Sequence, residues 1–272
     1  MGRIVGGFAT SHVLFPPAGV EAQAARVLDG MMRLRSEVRA LAPDLVVLAG
    51  SDHLNNFSLA MQVTLAVGVA DAFTTLGDAG APAVTFPGHR PFAEGFARFA
   101  ARRDFDLVQA EEVRPDHGMA IPQLIIDPSA TLPIVPLYIN CNMPVPPSPG
   151  RCYRLGGVLK EYVEAARPAD ERVVVVGGGG LSHWLCLPEQ GKVAVEFDQD
   201  FIARMIAGRS SELAQLSAAD IESASGNGGL ELTAWLFMAG AVPGARGEKL
   251  FYEPIPEWIS GMGGVSLTPA GA

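Results

Sequence analysis

Short apolar runs bounded by glycine or polar residues recur along the chain, and they predict strands. Arg3–Ala9 (RIVGGFA), Leu45–Ala49 (LVVLA) and Arg172–Val176 (RVVVV) are three of them. Ile134–Ile139 (IVPLYI) is a fourth, and its Pro136 points to a place near a sheet edge. Val63–Val69 is a fifth candidate. Between these runs the apolar positions change to helical spacing. Gly19–Leu41 sets Arg and Glu on the face opposite its apolar stripe, and Pro91–Arg102 spaces Phe92, Phe96 and Phe99 by four and three. Arg151–Arg167 and Val193–Ala207 are further helices, Ala120–Ile126 is a short one, and Leu230–Ala241 is apolar almost throughout. Strands alternating with helices predict an α/β fold, a three-layer α/β/α arrangement around a mixed, largely parallel sheet. No repeat of 20–50 residues is visible. Pro144–Gly150 (PVPPSPG) reads as a rigid loop feeding a helix, so residues 1–272 are expected to form a single domain.

Composition narrows the class. Apolar residues make up 49% and charged residues 18%, enough for a large core and too little charge for disorder. The 31 glycines and 21 prolines predict many tight turns. A formal net charge of −9 argues against nucleic acid, whose phosphates call for Lys and Arg. No basic-then-apolar segment opens the chain and no stretch reads as lipid-facing, so a cytoplasmic protein that does not enter a membrane is expected. Cys141, Cys152 and Cys186 form no C-x-x-C pair and fit reduced, packed thiols.

The five histidines carry the chemistry. His12, His53 and His183 each follow a predicted strand through a small-residue turn. Ligands of α/β sheets bind beyond the carboxyl ends of strands, so three imidazoles converge there if these strands are parallel neighbours. Any one of them alone is as readily a turn histidine bonded to backbone. Glu231 lies among Leu230, Leu232, Ala234 and Trp235, where a carboxylate is costly to bury without a cation. Otherwise it is a first-turn acid facing water. His12, His53 and Glu231 together form a two-histidine, one-carboxylate set suited to Fe(II) and oxygen, with zinc also open on ligand type. His183 is then a free base beside the metal. His117, in Asp116-His117-Gly118, is a second acid/base or a donor to substrate. Asp52 and Asp116 each adjoin a histidine and are candidates to orient it and to contact substrate. His89, beside a Pro-Gly turn, reads as structural. The run Gly177–Gly180 lacks the Lys-Ser/Thr of a phosphate loop and the G-x-G-x-x-G spacing, so no nucleotide is expected.

Collinear pieces of the chain resemble the class III extradiol ring-cleavage dioxygenases, the family of the protocatechuate 4,5-dioxygenase β chain. They are Thr10-Ser-His12, Asp52-His53, Asp116-His-Gly118, Pro147-Ser-Pro-Gly-Arg-Cys152, Gly178-Gly-Gly-Leu-Ser-His183, Glu196-Phe-Asp198 and Ser225-Gly-Asn-Gly-Gly-Leu-Glu231. The resemblance implies an extradiol dioxygenase domain with His12, His53 and Glu231 holding Fe(II). It implies His183 as acid/base and His117 as a second pocket histidine. The implied substrates are O2 and a small catechol-like aromatic, of dihydroxyphenyl or dihydroxypyridine type, opened to a semialdehyde-type product. A homo-oligomer is expected, with a small partner subunit left open. The tail Phe251–Gly263 resembles the 2,3-dihydroxyphenylpropionate dioxygenase branch. Trp258 stands where the protocatechuate branch carries a carboxylate-binding serine. That makes it a candidate pocket wall for rings bearing no carboxylate of their own. On the residues alone, a zinc hydrolase with the same ligands and a non-enzymatic metal-binding protein are the competing readings.

Overall fold

The protein is described by a computed structural model over residues 1–270. The first half of the chain forms β1 (Arg3–Thr10), α1 (Glu21–Ala40), β2 (Leu45–Gly50), β3 (Leu65–Gly68), β4 (Ala72–Thr74) and β5 (Thr85–Pro87). It continues with α2 (Arg90–Ala101), β6 (Val108–Ala110), α3 (His117–Ile126) and β7 (Ile134–Ile139). Then come α4 (Pro149–Ala166), β8 (Arg172–Gly178), α5 (Val195–Ile206), α6 (Ser210–Leu213) and α7 (Ala218–Ser225). A 3-10 turn, Gly228–Glu231, leads into α8 (Leu232–Ala241), and β9 (Arg246–Ile255) and β10 (Ser260–Thr268) close the chain. No helix among the described residues is long and apolar enough to cross a membrane.

Eight strands form one sheet in the order β6-β3-β7-β2-β8-β1-β10-β9. The central run β7-β2-β8-β1 is parallel, and β10 and β9 add antiparallel strands beyond β1. Alternation along the central strands divides the core in two. Leu45, Val47, Val173 and Val175 face α2, α4 and α8, while Val46, Leu48, Val174 and Val176 face α1 and α3. The three expected layers follow. Within them α8 is the buried helix, all ten of its residues being enclosed. Gly156 and Gly240 allow this: a Cβ at either would run into the backbone of the facing helix, α8 or α4.

One expectation needs correction. β7 is an interior strand despite Pro136, because it lies between β3 and β2. The Val46 N–H donates to the Pro133 carbonyl, so alternate residues of the parallel ladder, 133, 135 and 137, face β2. Pro136 therefore faces β3, and the β3–β7 ladder covers only Leu137–Ile139, so no partner calls for its missing N–H. The C-terminal segment, for which the sequence predicts no element, forms the hairpin β9–β10. Its glycine-rich strand SGMGGVSLT carries little strand propensity and is held by close packing, with the Phe251 ring over Gly264 and Leu181 over Gly263.

Candidate active site

β2, β8 and β1 are adjacent and parallel, so the loops leaving their carboxyl ends meet. His12 lies two residues beyond β1, His53 three beyond β2 and His183 five beyond β8. The first residue of α3 brings in His117 from a fourth direction. One nitrogen from each of His12, His53 and His117 lies within 4.8 Å of the others. The ring centroids are 5.2 Å apart for His12–His53, 5.3 Å for His12–His117 and 4.3 Å for His53–His117. Glu231, only 5% exposed, ends the 3-10 turn and sets its carboxylate between His53 and His183. Its Oε1 is 3.3 Å from His53 Nε2 and its Oε2 is 3.9 Å from His183 Nε2. Burial excludes the water-facing acid that the sequence left open.

Three of the four imidazoles, those of His53, His117 and His183, are fixed from behind. Asp116 Oδ2 accepts the backbone N–H of His53 at 2.7 Å and lies 3.2 Å from its Nδ1, which leaves Nε2 to the cluster. Asp78 does the same for His117, accepting its backbone N–H at 2.9 Å and pairing with Nδ1 at 2.6 Å. The two acids adjoining histidines therefore differ from expectation. Asp116 serves His53 and not its neighbour His117. Asp52 spends its carboxylate on the backbone N–H groups of Asn56 and Phe57 and on the Asn56 amide. Asp78, in the loop TTLGDAGAP, carries no sequence signal beyond being acidic. His183 Nδ1 donates to the Leu181 carbonyl at 2.9 Å, an assignment that leaves the Nε2 lone pair facing Glu231. Gly228 lies against the His183 ring, where any Cβ would overlap the imidazole.

A second acid absent from the expected site braces His183 at one remove. Asp198 accepts the Ser182 N–H at 3.0 Å, the Ser182 hydroxyl at 2.7 Å and the Tyr252 hydroxyl at 3.0 Å. Ser182 Oγ in turn accepts the Ala194 N–H at 2.8 Å. Burial pushes the Asp198 carboxyl up to about 6, against the pull of these hydrogen bonds.

The electrostatics fit a cation. Burial brings His12 down to about 4, so its ring is neutral, and its Nδ1 is buried with no hydrogen-bond partner. Burial would lower His53 as well, but hydrogen bonds to Asp116 and Glu231 raise it to about 10. Burial would raise Asp116, yet His53 holds it at about 2. Burial would raise Glu231 too, and the surrounding imidazoles of His12, His53 and His183 hold it below the usual carboxylate range. A buried carboxylate, a neutral imidazole with an orphaned nitrogen and a second imidazole between two acids are the donors of a divalent metal site. His12, His53 and either Glu231 or His117 can supply it.

A cavity of about 360 Å³ opens beside His53 and Glu231, walled by the loop after β7, the loop after His183 and the end of α7. Trp258 is not on its wall. It is 2% exposed within the core facing α1 and donates from Nε1 to the Pro16 carbonyl at 3.2 Å, bracing the loop that follows His12. His89 caps α2 by accepting the Phe92 N–H, and its Nε2 lies 4.0 Å from Glu171, next to the amino end of β8 and so at the far end of the sheet.

The chain is similar to known proteins along nearly its whole length. The model of the family described as the catalytic LigB subunit of aromatic ring-opening dioxygenase matches residues 7–263. The 2,3-dihydroxyphenylpropionate/2,3-dihydroxicinnamic acid 1,2-dioxygenases of Escherichia coli K12 and O157:H7 are each 26% identical over 303 residues, covering 92% of this chain and 95% of theirs. A crystal structure of the uncharacterized protein JW3007 from Escherichia coli K12 superposes with a TM-score of 0.62 at 17% identity, over 96% of this chain and 99% of that one, a likeness of fold.

Proposed function

The chain belongs to the family of the catalytic LigB subunit of aromatic ring-opening dioxygenases and is an extradiol ring-cleaving enzyme, and from that premise we propose an Fe(II)-dependent cleavage of a catechol-like ring. His12, His53 and Glu231 would hold the metal; the reading is supported by His12 and His53 sharing one nitrogen cluster beyond the parallel strands and by the buried Glu231 Oε1 lying 3.3 Å from His53 Nε2. Fe(II) bound there would supply Lewis acidity toward two adjacent ring oxygens and an electron path between ring and dioxygen.

The protein's own part is acid–base chemistry and positioning. His183 Nε2, with Nδ1 committed to Leu181, takes a proton from a ring hydroxyl and later returns it. His117, with Nδ1 held by Asp78, has Nε2 left for the cluster and would donate a hydrogen bond to the reacting oxygens. Both atoms of O2 end in the product, a ring-opened semialdehyde-type acid. The test is an anaerobically prepared, iron-loaded enzyme given a catechol and 18O2. Uptake of one O2 per ring, with both labelled atoms in a product containing the opened ring, is expected. A hydrolysed product with no label, or activity with zinc and none with iron, contradicts the proposal.

A further inference from the structure

We infer that the ring accepted here carries a neutral or cationic side chain rather than an anionic one, and that Glu222 selects it; this rests on the ring-cleavage reading above. The cavity next to His53 and Glu231 has room for one substituted ring at about 360 Å³. Its apolar wall is Met143, Pro144, Pro146, Leu185 and Leu230. Among the described residues, no arginine or lysine lines it. Its polar side chains away from the metal cluster include Asn142, Asn227 and Glu222. The amide nitrogen of Asn142 already donates to the Asp52 carbonyl at 2.7 Å. Asn227 is spent on Leu185, donating to its carbonyl at 3.0 Å and accepting its N–H at 2.8 Å. Glu222, on the exposed face of α7, makes no ion pair among the described residues.

With its two oxygens at the His53 and Glu231 end of the cavity, a ring would leave its substituent to the rest of the lining, which includes Glu222. A carboxylate there loses water, meets no cation and faces a second carboxylate. An alkyl group packs on the prolines and leucines, and an ammonium group meets Glu222. Like or opposite charge at a half-open site changes affinity by about fivefold in either direction.

The experiment compares three catechols carrying ethyl, aminoethyl or carboxyethyl at the same ring position. Their binding to the anaerobic protein is measured by calorimetry, and kcat/KM by oxygen uptake, for the wild type and for Glu222→Gln. The wild type is expected to bind the aminoethyl ring at least as tightly as the ethyl ring, and the carboxyethyl ring about fivefold or more weakly. Glu222→Gln is expected to compress that spread, weakening the amine and strengthening the acid relative to the ethyl ring. Tightest binding of the carboxyethyl ring by the wild type, no binding of any of the three, or a spread that Glu222→Gln leaves unchanged overturns the inference. Binding in the expected order without ring opening supports the selectivity and counts against the dioxygenase reading alone.

Discussion

His183 and the acids behind the histidines are where single atoms decide the outcome. His183→Gln leaves the His12, His53 and Glu231 donors in place, so the protein is expected to keep its metal and lose turnover by about 10²–10⁴-fold. Unchanged kcat with full metal content would make His183 a turn residue only. Asp116→Asn removes the charge that fixes the ring and basicity of His53, and metal affinity is expected to fall about 10–100-fold in competition with a chelator. An unaltered affinity would mean that Asp116 serves only to cap α3 through the Gly118 N–H. Asp198 sets a pH dependence. Its folded-state value is raised to about 6 by burial, so the native protein holds a proton between about 4 and 6 that the unfolded chain has released. Its contribution to stability is therefore present at low pH and lost as pH rises through about 6, by on the order of 2–3 kcal/mol. Urea denaturation of Asp198→Asn is expected to show a flatter pH profile over that window than the wild type. Parallel profiles would contradict the protonation of Asp198.

At the scale of elements, α4 and α8 meet through Gly156, so Gly156→Ala forces a methyl into the Phe237 carbonyl and the Ala241 N–H. The expected loss is about 1–3 kcal/mol, read as a lower urea midpoint at unchanged m-value. A midpoint equal to wild type would mean that the helices separate freely. The elements most legible in the sequence are those whose periodicity is set by burial on one side, such as α1, or on both, such as β2 and β8. β10 was illegible because its glycines are placed by neighbours far along the chain, Phe251 and Leu181. The interior position of β7 was illegible because a proline's tolerance depends on where a partner ladder stops. The same division holds in the site. His12, His53, His183 and Glu231 stand out by residue type at strand ends and in an apolar helix. Asp78 reaches His117 across 39 residues, and Asp116 reaches His53 across 63, pairings that no local spacing encodes.

For the whole molecule, a net charge of −9 coexists with one pole of the sheet where imidazoles and buried acids gather. The sheet order makes that pole: β1, β8 and β2 come from three separate parts of the chain, and their parallel adjacency brings their trailing loops to one point. Which donors hold the metal there decides the chemistry of the site. The nitrogens of His12, His53 and His117 cluster, and the proposed set puts Glu231, 3.3 Å from His53, in place of His117. Iron per chain, measured after anaerobic loading and desalting of His12→Ala, His53→Ala, Glu231→Gln and His117→Ala, separates the two sets. Loss of iron in the first three variants with about one iron per chain kept by His117→Ala is the predicted result. Iron kept by Glu231→Gln and lost by His117→Ala would contradict it.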